Sequence, residues 1–134
     1  MNGKRVVLDT NILVSALMSK HGNPAKILNM FLSGALVLIY CDEILDEYED
    51  VLYRPRLHIP ANDADIVMAA VQQHGEKVLP ATSTNPMPDE DDRVFYDVAK
   101  SAVAYLITGN TKHYPNEPFI LMPAEFLELQ SENN

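Results

Sequence analysis

Apolar residues recur along the chain in two alternating patterns. Short apolar runs typical of buried β-strands lie at residues 5–8, 36–40, 77–79, 105–108 and 119–121. Between these runs, apolar residues return every three or four positions, as on one face of a helix. Strands with nearly continuous apolar residues are typical of a parallel sheet that is covered on both faces. The pattern therefore predicts an α/β fold, a three-layer α/β/α sandwich with a central parallel sheet of about five strands.

Length and composition predict one domain. The chain has 134 residues, of which 47% are hydrophobic, enough for a single core. We expect residues 1–130 to form this domain and residues 131–134 to be a polar tail. The segment from Pro80 to Pro88 is a loop rich in Thr, Pro and Asn, and it does not divide the chain.

The chain lacks signals for membrane insertion or export. Its longest apolar run, residues 35–41, is far too short to span a bilayer, and the start of the chain does not resemble a signal peptide. Its single cysteine, Cys41, cannot form an internal disulfide and fits a reducing compartment. We therefore expect a soluble, cytoplasmic protein with no membrane partner.

The charge balance is strongly acidic. A formal net charge of -9 argues against attraction of nucleic acid to the whole surface. Two small basic groups could contact phosphate locally: Arg54 with Arg56, and Lys112 beside His113. The simpler interpretation of each residue is solvated surface charge.

Polar side chains follow two of the predicted strands. The apolar run of residues 6–8 ends at Asp9, and the run of residues 105–107 is followed by Thr108, Gly109 and Asn110. Because parallel strands end at the same edge of a sheet, and ligands bind at that edge, we expect these side chains to lie close together.

A second acid is expected from the helix that begins near Asp42. Its apolar stripe places Glu47 at the border between core and solvent, whereas Asp46 and Asp50 point further outward. Glu47 is therefore the acid best placed to reach the sheet edge, with Glu43 as the substitute. An ordinary boundary glutamate that reaches water is the alternative.

A third acid is expected from the cluster at residues 89–92. Asp92 shares a helical face with Phe95, Ala99 and Val103, which points it toward the sheet. One acid would suffice to cap a helix, but four adjacent acids repel one another, and a divalent cation would relieve that repulsion. Capping and metal binding both remain open at this point.

In combination, these segments resemble the PIN domain nucleases, and in particular the small bacterial subgroup assigned as toxins of toxin-antitoxin systems. The resemblance rests on VLDTNILVSAL, EILDEYEDVLYRPRL, DEDDRVFYDVAKSAVAYLITGN and TKHYP, which together span nearly the whole chain.

The resemblance implies a metal-dependent ribonuclease with an acidic site at the carboxyl edge of the sheet. The family's first three acids fall on Asp9, Glu47 and Asp92, with Asp91 as a near neighbour of the third. The usual fourth acid falls on Asn110, so this site holds one negative charge fewer. The family's supporting hydrogen-bonding residues fall on Asn11, Ser15 and Thr108.

The implied cofactor is Mg²⁺ or Mn²⁺, which prefers oxygen ligands. The implied partners are an RNA substrate, whose phosphates could tighten metal binding, and an antitoxin protein that places a basic segment at the acidic site. A homodimer is also possible through apolar residues of the early helices, although core positions explain the same residues: Leu17, Met18, Met30 and Phe31.

Two other functions deserve comparison. A phosphatase of the haloacid dehalogenase type would need a second aspartate two residues after the first, where this chain has Asn11, so that function is disfavoured. A catalytically weakened PIN domain that acts as an RNA- or protein-binding module is favoured by Asn110. Three buried acids without a metal would, however, be costly to the fold.

Overall fold

In the computed structural model, which describes residues 4–132, five parallel strands form the centre of the molecule. They are β1 (Lys4–Leu8), β2 (Leu36–Tyr40), β3 (Glu76–Lys77), β4 (Tyr105–Ile107) and β5 (Ile120–Leu121). Their order across the sheet is β3-β2-β1-β4-β5, with every pairing parallel. Six α-helices accompany them: α1 (Thr10–Met18), α2 (Asn23–Leu32), α3 (Asp42–Leu52), α4 (Ala61–His74), α5 (Arg93–Ala102) and α6 (Pro123–Glu132). The predicted three-layer α/β/α fold is confirmed.

The strand order determines where a site can form. The chain leaves β1 on one side to build β2 and β3, and then crosses over to build β4 and β5 on the other side. The carboxyl ends of β1 and β4 are therefore neighbours, and their register pairs Leu8 with Ile107. In open α/β sheets this reversal leaves a crevice at the strand ends, where ligands bind.

The core explains why the central strands are continuously apolar. Val6, Val7 and Leu8 of β1 are fully buried, as expected for a strand with neighbours on both sides and helices above it. Helices α3 and α5 contact each other through the rings of Tyr48 and Phe95, whose centroids are 6.5 Å apart. This contact fixes the two helices that carry or follow the predicted second and third acids.

Two predicted details of the elements are wrong. The edge strand β3 covers Glu76–Lys77 rather than residues 77–79. The Val78 N–H still donates to the Tyr40 carbonyl of β2, but Leu79 beyond it is 92% exposed. Helix α5 ends at Ala102, so Val103 does not continue the buried face of Phe95 and Ala99. It adopts a left-handed conformation with φ 54° and is 87% exposed.

The loop of residues 80–88 has no regular secondary structure, yet it is attached to α5. Arg93 donates to the carbonyl oxygens of Ser83 and Asn85, at 2.8 and 2.6 Å. The Ser83 hydroxyl donates to Asp97, which is buried. Asp97 is thus an acid with a structural partner, which the sequence pattern did not identify.

The apolar residues of the early helices that were considered for a homodimer differ in burial. Phe31 lies in the core and Met30 is partly buried against it, whereas Met18 is 60% exposed. Helix α6 runs through Glu132, into the predicted tail, and residues 133–134 lie outside the described part of the chain. None of the helices within residues 4–132 is long and apolar enough to cross a membrane.

Candidate metal centre

Asp9 lies at the reversal point of the sheet. It follows β1 directly, and its backbone N–H donates to the Ile107 carbonyl of β4 at 3.0 Å. Its carbonyl accepts the Ile12 N–H at 2.9 Å, so the same residue ends the strand and starts helix α1. The residue is only 7% exposed, which leaves its carboxylate in a nearly dry crevice.

Two hydroxyl groups orient the Asp9 carboxylate. The Thr108 hydroxyl donates to Oδ2 at 2.9 Å, and the Tyr114 hydroxyl donates to the same oxygen at 2.8 Å. Burial, together with the Asp9 charge, raises the pKa of Tyr114 far above its ordinary value, so this phenol remains a donor. Because both donors converge on Oδ2, they leave Oδ1 for another partner.

Glu47 reaches this region from helix α3. It is partly buried, and its Oε2 accepts a hydrogen bond from the Thr10 hydroxyl. Burial raises the pKa of Glu47, the Thr10 hydrogen bond opposes that rise, and the Asp9 charge adds to it. Tyr48, the next residue, donates its hydroxyl to the Leu8 carbonyl at 2.5 Å and ties α3 to the end of β1.

The turn after β4 is held by side chains on both sides. Asn11 Oδ1 accepts the Gly109 N–H at 3.1 Å, and the Thr108 hydroxyl oxygen accepts the Asn110 N–H at 3.1 Å. Asn110 is partly buried at the same sheet edge. Ser15 is exposed on α1, where its backbone carbonyl accepts the Ser19 N–H.

Asp92 ends a short 3₁₀ helix, Glu90–Asp92, immediately before α5. Its Oδ2 is buried and has no hydrogen-bond partner among the described residues. Burial raises the pKa of Asp92 to about 6, and the Asp9 and Asp89 charges contribute to the rise. The same oxygen lies 3.2 Å from His113 Nδ1 without a hydrogen bond to it. A buried carboxylate oxygen without a hydrogen bond is costly, and a cation is one way to satisfy it.

The ligand atoms closest to Asp92 come from two residues outside the set that the family resemblance implies. Asp92 has ligand atoms within 4.8 Å of those of Asp89 and His113, and neither Asp9 nor Glu47 belongs to that group of three. Asp9 and Glu47 nevertheless act on Asp92 through their charges. Asp92 therefore has Asp89 and His113 as its nearest potential co-ligands and also feels the charges of Asp9 and Glu47.

Asp91, the predicted near neighbour, points elsewhere. It is exposed and lines a separate cavity with Glu43, Arg93 and Asp97. Its backbone N–H donates to Asp89 Oδ1 at 3.0 Å, so the capping hypothesis holds for Asp89, which also belongs to the group around Asp92.

The predicted phosphate contacts lie on exposed or partly exposed segments. Arg54 pairs with Asp50 at 2.7 Å, one helical turn earlier, and its charge also acts on Glu47. Arg56 is exposed on the 3₁₀ helix Pro55–Leu57, and Lys112 is exposed on the 3₁₀ helix Thr111–His113.

Four residues near these acids had no assigned role at the acidic site: Thr10, Asp89, His113, which was considered only as a phosphate contact beside Lys112, and Tyr114. Thr10 is the middle residue of the Asp-Thr-Asn motif, and His113 and Tyr114 belong to the Thr-Lys-His-Tyr-Pro segment. Their positions within these two motifs could therefore have identified Thr10, His113 and Tyr114 as candidates. Asp89 could be separated from its acidic neighbours only by its geometry.

The donor set suits a hard divalent cation. Asp9, Glu47 and Asp92 come from three separate segments and are near enough for the first two to act on Asp92 through their charges, and Asp92 Oδ2 has no hydrogen-bond partner among the described residues. Mg²⁺ and Mn²⁺ favour such oxygen ligands, and Mg²⁺ takes only one or two carboxylates directly. The residues present therefore fit a metal of this class.

Comparison with known proteins gives two findings. The sequence model of a family described as "PIN domain" matches residues 5–112, a range that includes Asp9, Glu47, Asp92 and Asn110 and ends one residue before His113. The chain is also similar to an uncharacterized protein, MJ1680, of Methanocaldococcus jannaschii. The two are 33% identical over 109 residues, which cover 79% of this chain and 70% of that protein.

Proposed function

Since the chain belongs to the PIN domain family, a superfamily of nucleases, we propose that it is a Mg²⁺- or Mn²⁺-dependent endoribonuclease that hydrolyses phosphodiester bonds. The observation that carries this proposal is the Asp92 carboxylate, which feels the charges of Asp9 and Glu47 and has a buried oxygen, Oδ2, without a hydrogen-bond partner among the described residues. Acids are tolerated at such positions when a cation compensates their charge.

The proposed division of roles follows the contacts. Asp9 and Asp92 would hold a divalent cation at this edge, which would supply Lewis-acid activation of the phosphate and of the attacking water. Glu47, held by Thr10, would either contact the cation or orient the water. Thr108 and Tyr114 keep Asp9 in place, while Arg54, Arg56 and Lys112 are candidate contacts to the RNA phosphates.

The test is cleavage of labelled single-stranded RNA by the wild-type protein and by Asp9→Asn. Each protein is assayed with Mg²⁺, with Mn²⁺ and with EDTA. We expect metal-dependent cleavage by the wild type and a loss of about 100-fold or more in Asp9→Asn, because a ligand is removed.

Glu49→Gln is the matched control, since Glu49 is exposed on α3 away from the crevice and should leave cleavage unchanged. Equal cleavage by wild type and Asp9→Asn, or cleavage that survives EDTA, would contradict the proposal and indicate a contaminating nuclease.

A second candidate is a PIN domain that binds RNA or protein without cutting. Asn110 favours it, because that position lacks the fourth carboxylate and a neutral side chain attracts a cation less strongly. RNA binding by a wild-type protein that does not cleave under any metal condition would support this candidate instead.

The proposed biological role is the toxin of a toxin-antitoxin module. The acidic surface, with a formal net charge of -9, suits a basic antitoxin segment that inserts an arginine among the carboxylates. Induced expression in a bacterial host should arrest growth with the wild type and not with Asp9→Asn. Equal growth of both strains would argue against the toxin role.

A further inference from the structure

We propose that Asp89, Asp92 and His113 form a cation subsite in which His113 Nδ1 is a nitrogen ligand. This inference rests on the proposed function for the presence of a divalent metal. It goes beyond that proposal because it adds an imidazole to an all-oxygen site and gives the site a different metal preference. The three residues come from the start of α5 and from the 3₁₀ helix after β4.

The spacing of the ligand atoms fits one ion. His113 Nδ1 lies 3.2 Å from Asp92 Oδ2, and one ligand atom of each of the three residues lies within 4.8 Å of the others. In an octahedral site with metal-ligand distances of about 2.1 Å, adjacent ligands are about 3 Å apart and opposite ligands about 4 Å apart. The distance of 3.2 Å between His113 Nδ1 and Asp92 Oδ2 matches that of adjacent ligands.

The contact between His113 and Asp92 leaves a buried carboxylate oxygen without a hydrogen bond. Although Nδ1 and Oδ2 are at hydrogen-bond distance, the pair lacks hydrogen-bond alignment, and Asp92 Oδ2 has no hydrogen-bond partner among the described residues. A cation bound by both side chains would satisfy this oxygen without a hydrogen bond between them.

The charge and the ligand types of this subsite favour Mn²⁺. Asp89 supplies a carboxylate near Asp92 that Asn110 does not supply, so the absence of the fourth acid does not leave the site short of negative charge. Imidazole is a good ligand for transition metals and a poor one for Mg²⁺. The subsite should therefore bind Mn²⁺ in preference to Mg²⁺.

The experiment uses Mn²⁺ itself as the probe, in the absence of RNA. Pulsed electron paramagnetic resonance of bound Mn²⁺ detects coupling to a directly bound nitrogen, and competition titration gives the preference for Mn²⁺ over Mg²⁺. We expect nitrogen coupling in the wild type and its loss in His113→Ala, with Mn²⁺ affinity reduced by about tenfold. His74→Ala is the matched control, because His74 is exposed at the end of α4 and should change neither result.

His113→Asp is a second variant that keeps a ligand but removes the nitrogen. We expect it to bind metal without nitrogen coupling and to lose the preference for Mn²⁺. Circular dichroism verifies that each variant folds.

Bound Mn²⁺ without nitrogen coupling in the wild type, or coupling that persists in His113→Ala, would overturn the inference; a wild type that binds no Mn²⁺ would do so too. The RNA cleavage assay decides the proposed function separately. Metal-dependent cleavage without nitrogen coupling would support the nuclease proposal and show that His113 is not a metal ligand. Nitrogen coupling without cleavage would support the subsite and contradict the nuclease proposal.

Discussion

The three residues of the Asp-Thr-Asn motif serve three different contacts. Asp9 presents its carboxylate in the crevice, Thr10 holds Glu47 of α3, and Asn11 holds the turn at Gly109. Consecutive residues at the start of a helix point in different directions, about 100° apart. A single turn of chain therefore organises side chains from three elements around one site.

At this scale the clearest test is Tyr114→Phe, which removes one of the two donors to Asp9 Oδ2 and keeps the buried ring. We expect metal-dependent RNA cleavage to fall by about 10-fold, as for loss of a group that orients a ligand, while Asp9→Asn costs more. Tyr53→Phe is the matched control, because the exposed Tyr53 hydroxyl bonds only to Asp65 among the described residues. Similar activity in the two phenylalanine variants would show that Tyr114 does not position Asp9.

At the scale of elements, helix α5 is defined by what happens at its two ends. The 3₁₀ turn before it places Asp92 at the crevice, and Arg93 at its first turn fixes the loop of residues 80–88. At the other end the Ala104 N–H reaches the Ala99 carbonyl at 2.9 Å, which requires a left-handed Val103. A β-branched residue is unfavourable in that conformation, which glycine adopts most easily.

Val103→Gly should therefore stabilise the protein. Relief of the left-handed strain is worth about 1–2 kcal/mol, and the extra flexibility of glycine in the unfolded chain offsets about 0.5–1 kcal/mol of it. Val103 is 87% exposed, so little buried surface is lost. Urea denaturation should show a free energy of unfolding higher by about 0.5–1 kcal/mol. Ala102→Gly, at the last residue of the helix, should show the opposite sign, and a destabilised Val103→Gly would contradict the prediction.

At the scale of the whole molecule, the sheet edge concentrates negative charge at a cost to the fold. Burial and the neighbouring acids raise the pKa of Asp92 to about 6 and also raise that of Glu47. A raised carboxyl pKa means that ionisation opposes folding once the pH exceeds the ordinary value. Without metal, stability should thus fall as the pH rises.

Asp92→Asn tests this dependence in EDTA. Between the unfolded pKa of 3.8 and the folded pKa of about 6, folded wild type binds more protons than unfolded wild type, so its free energy of unfolding decreases as the pH rises. We expect Asp92→Asn to lose most of this decrease and to be more stable than wild type above pH 6, by about 1–3 kcal/mol. Mn²⁺ should stabilise the wild type more than the variant. Thermal melts across pH measure both effects, and parallel pH profiles of the two proteins would contradict the prediction.

Local patterns in the sequence were sufficient to predict the fold class and to propose the main acids. Continuous apolar residues identify β1 and β2 as buried parallel strands, and helical periodicity alone places Glu47 at the border of α3, where the structure has it partly buried. The position of Asp9 after β1 follows from the same pattern. These features depend on residues only a few positions apart, which is why they can be derived without a structure.

The tertiary structure decided which side chains meet. Thr10 reaches Glu47 across 37 positions of the chain, and Tyr114 reaches Asp9 across 105. The association of Asp89 and His113 with Asp92, and the diversion of Asp91 to another cavity, likewise depend on how α5 and the turn after β4 approach the sheet. Strand pairing and helix packing determine these contacts, and a local sequence pattern cannot predict them. The sequence by itself thus determined the fold class and the position of Asp9 after β1. Packing in three dimensions decided where β3 and α5 end and which carboxylates, hydroxyls and imidazole meet, because these contacts join residues far apart in the chain.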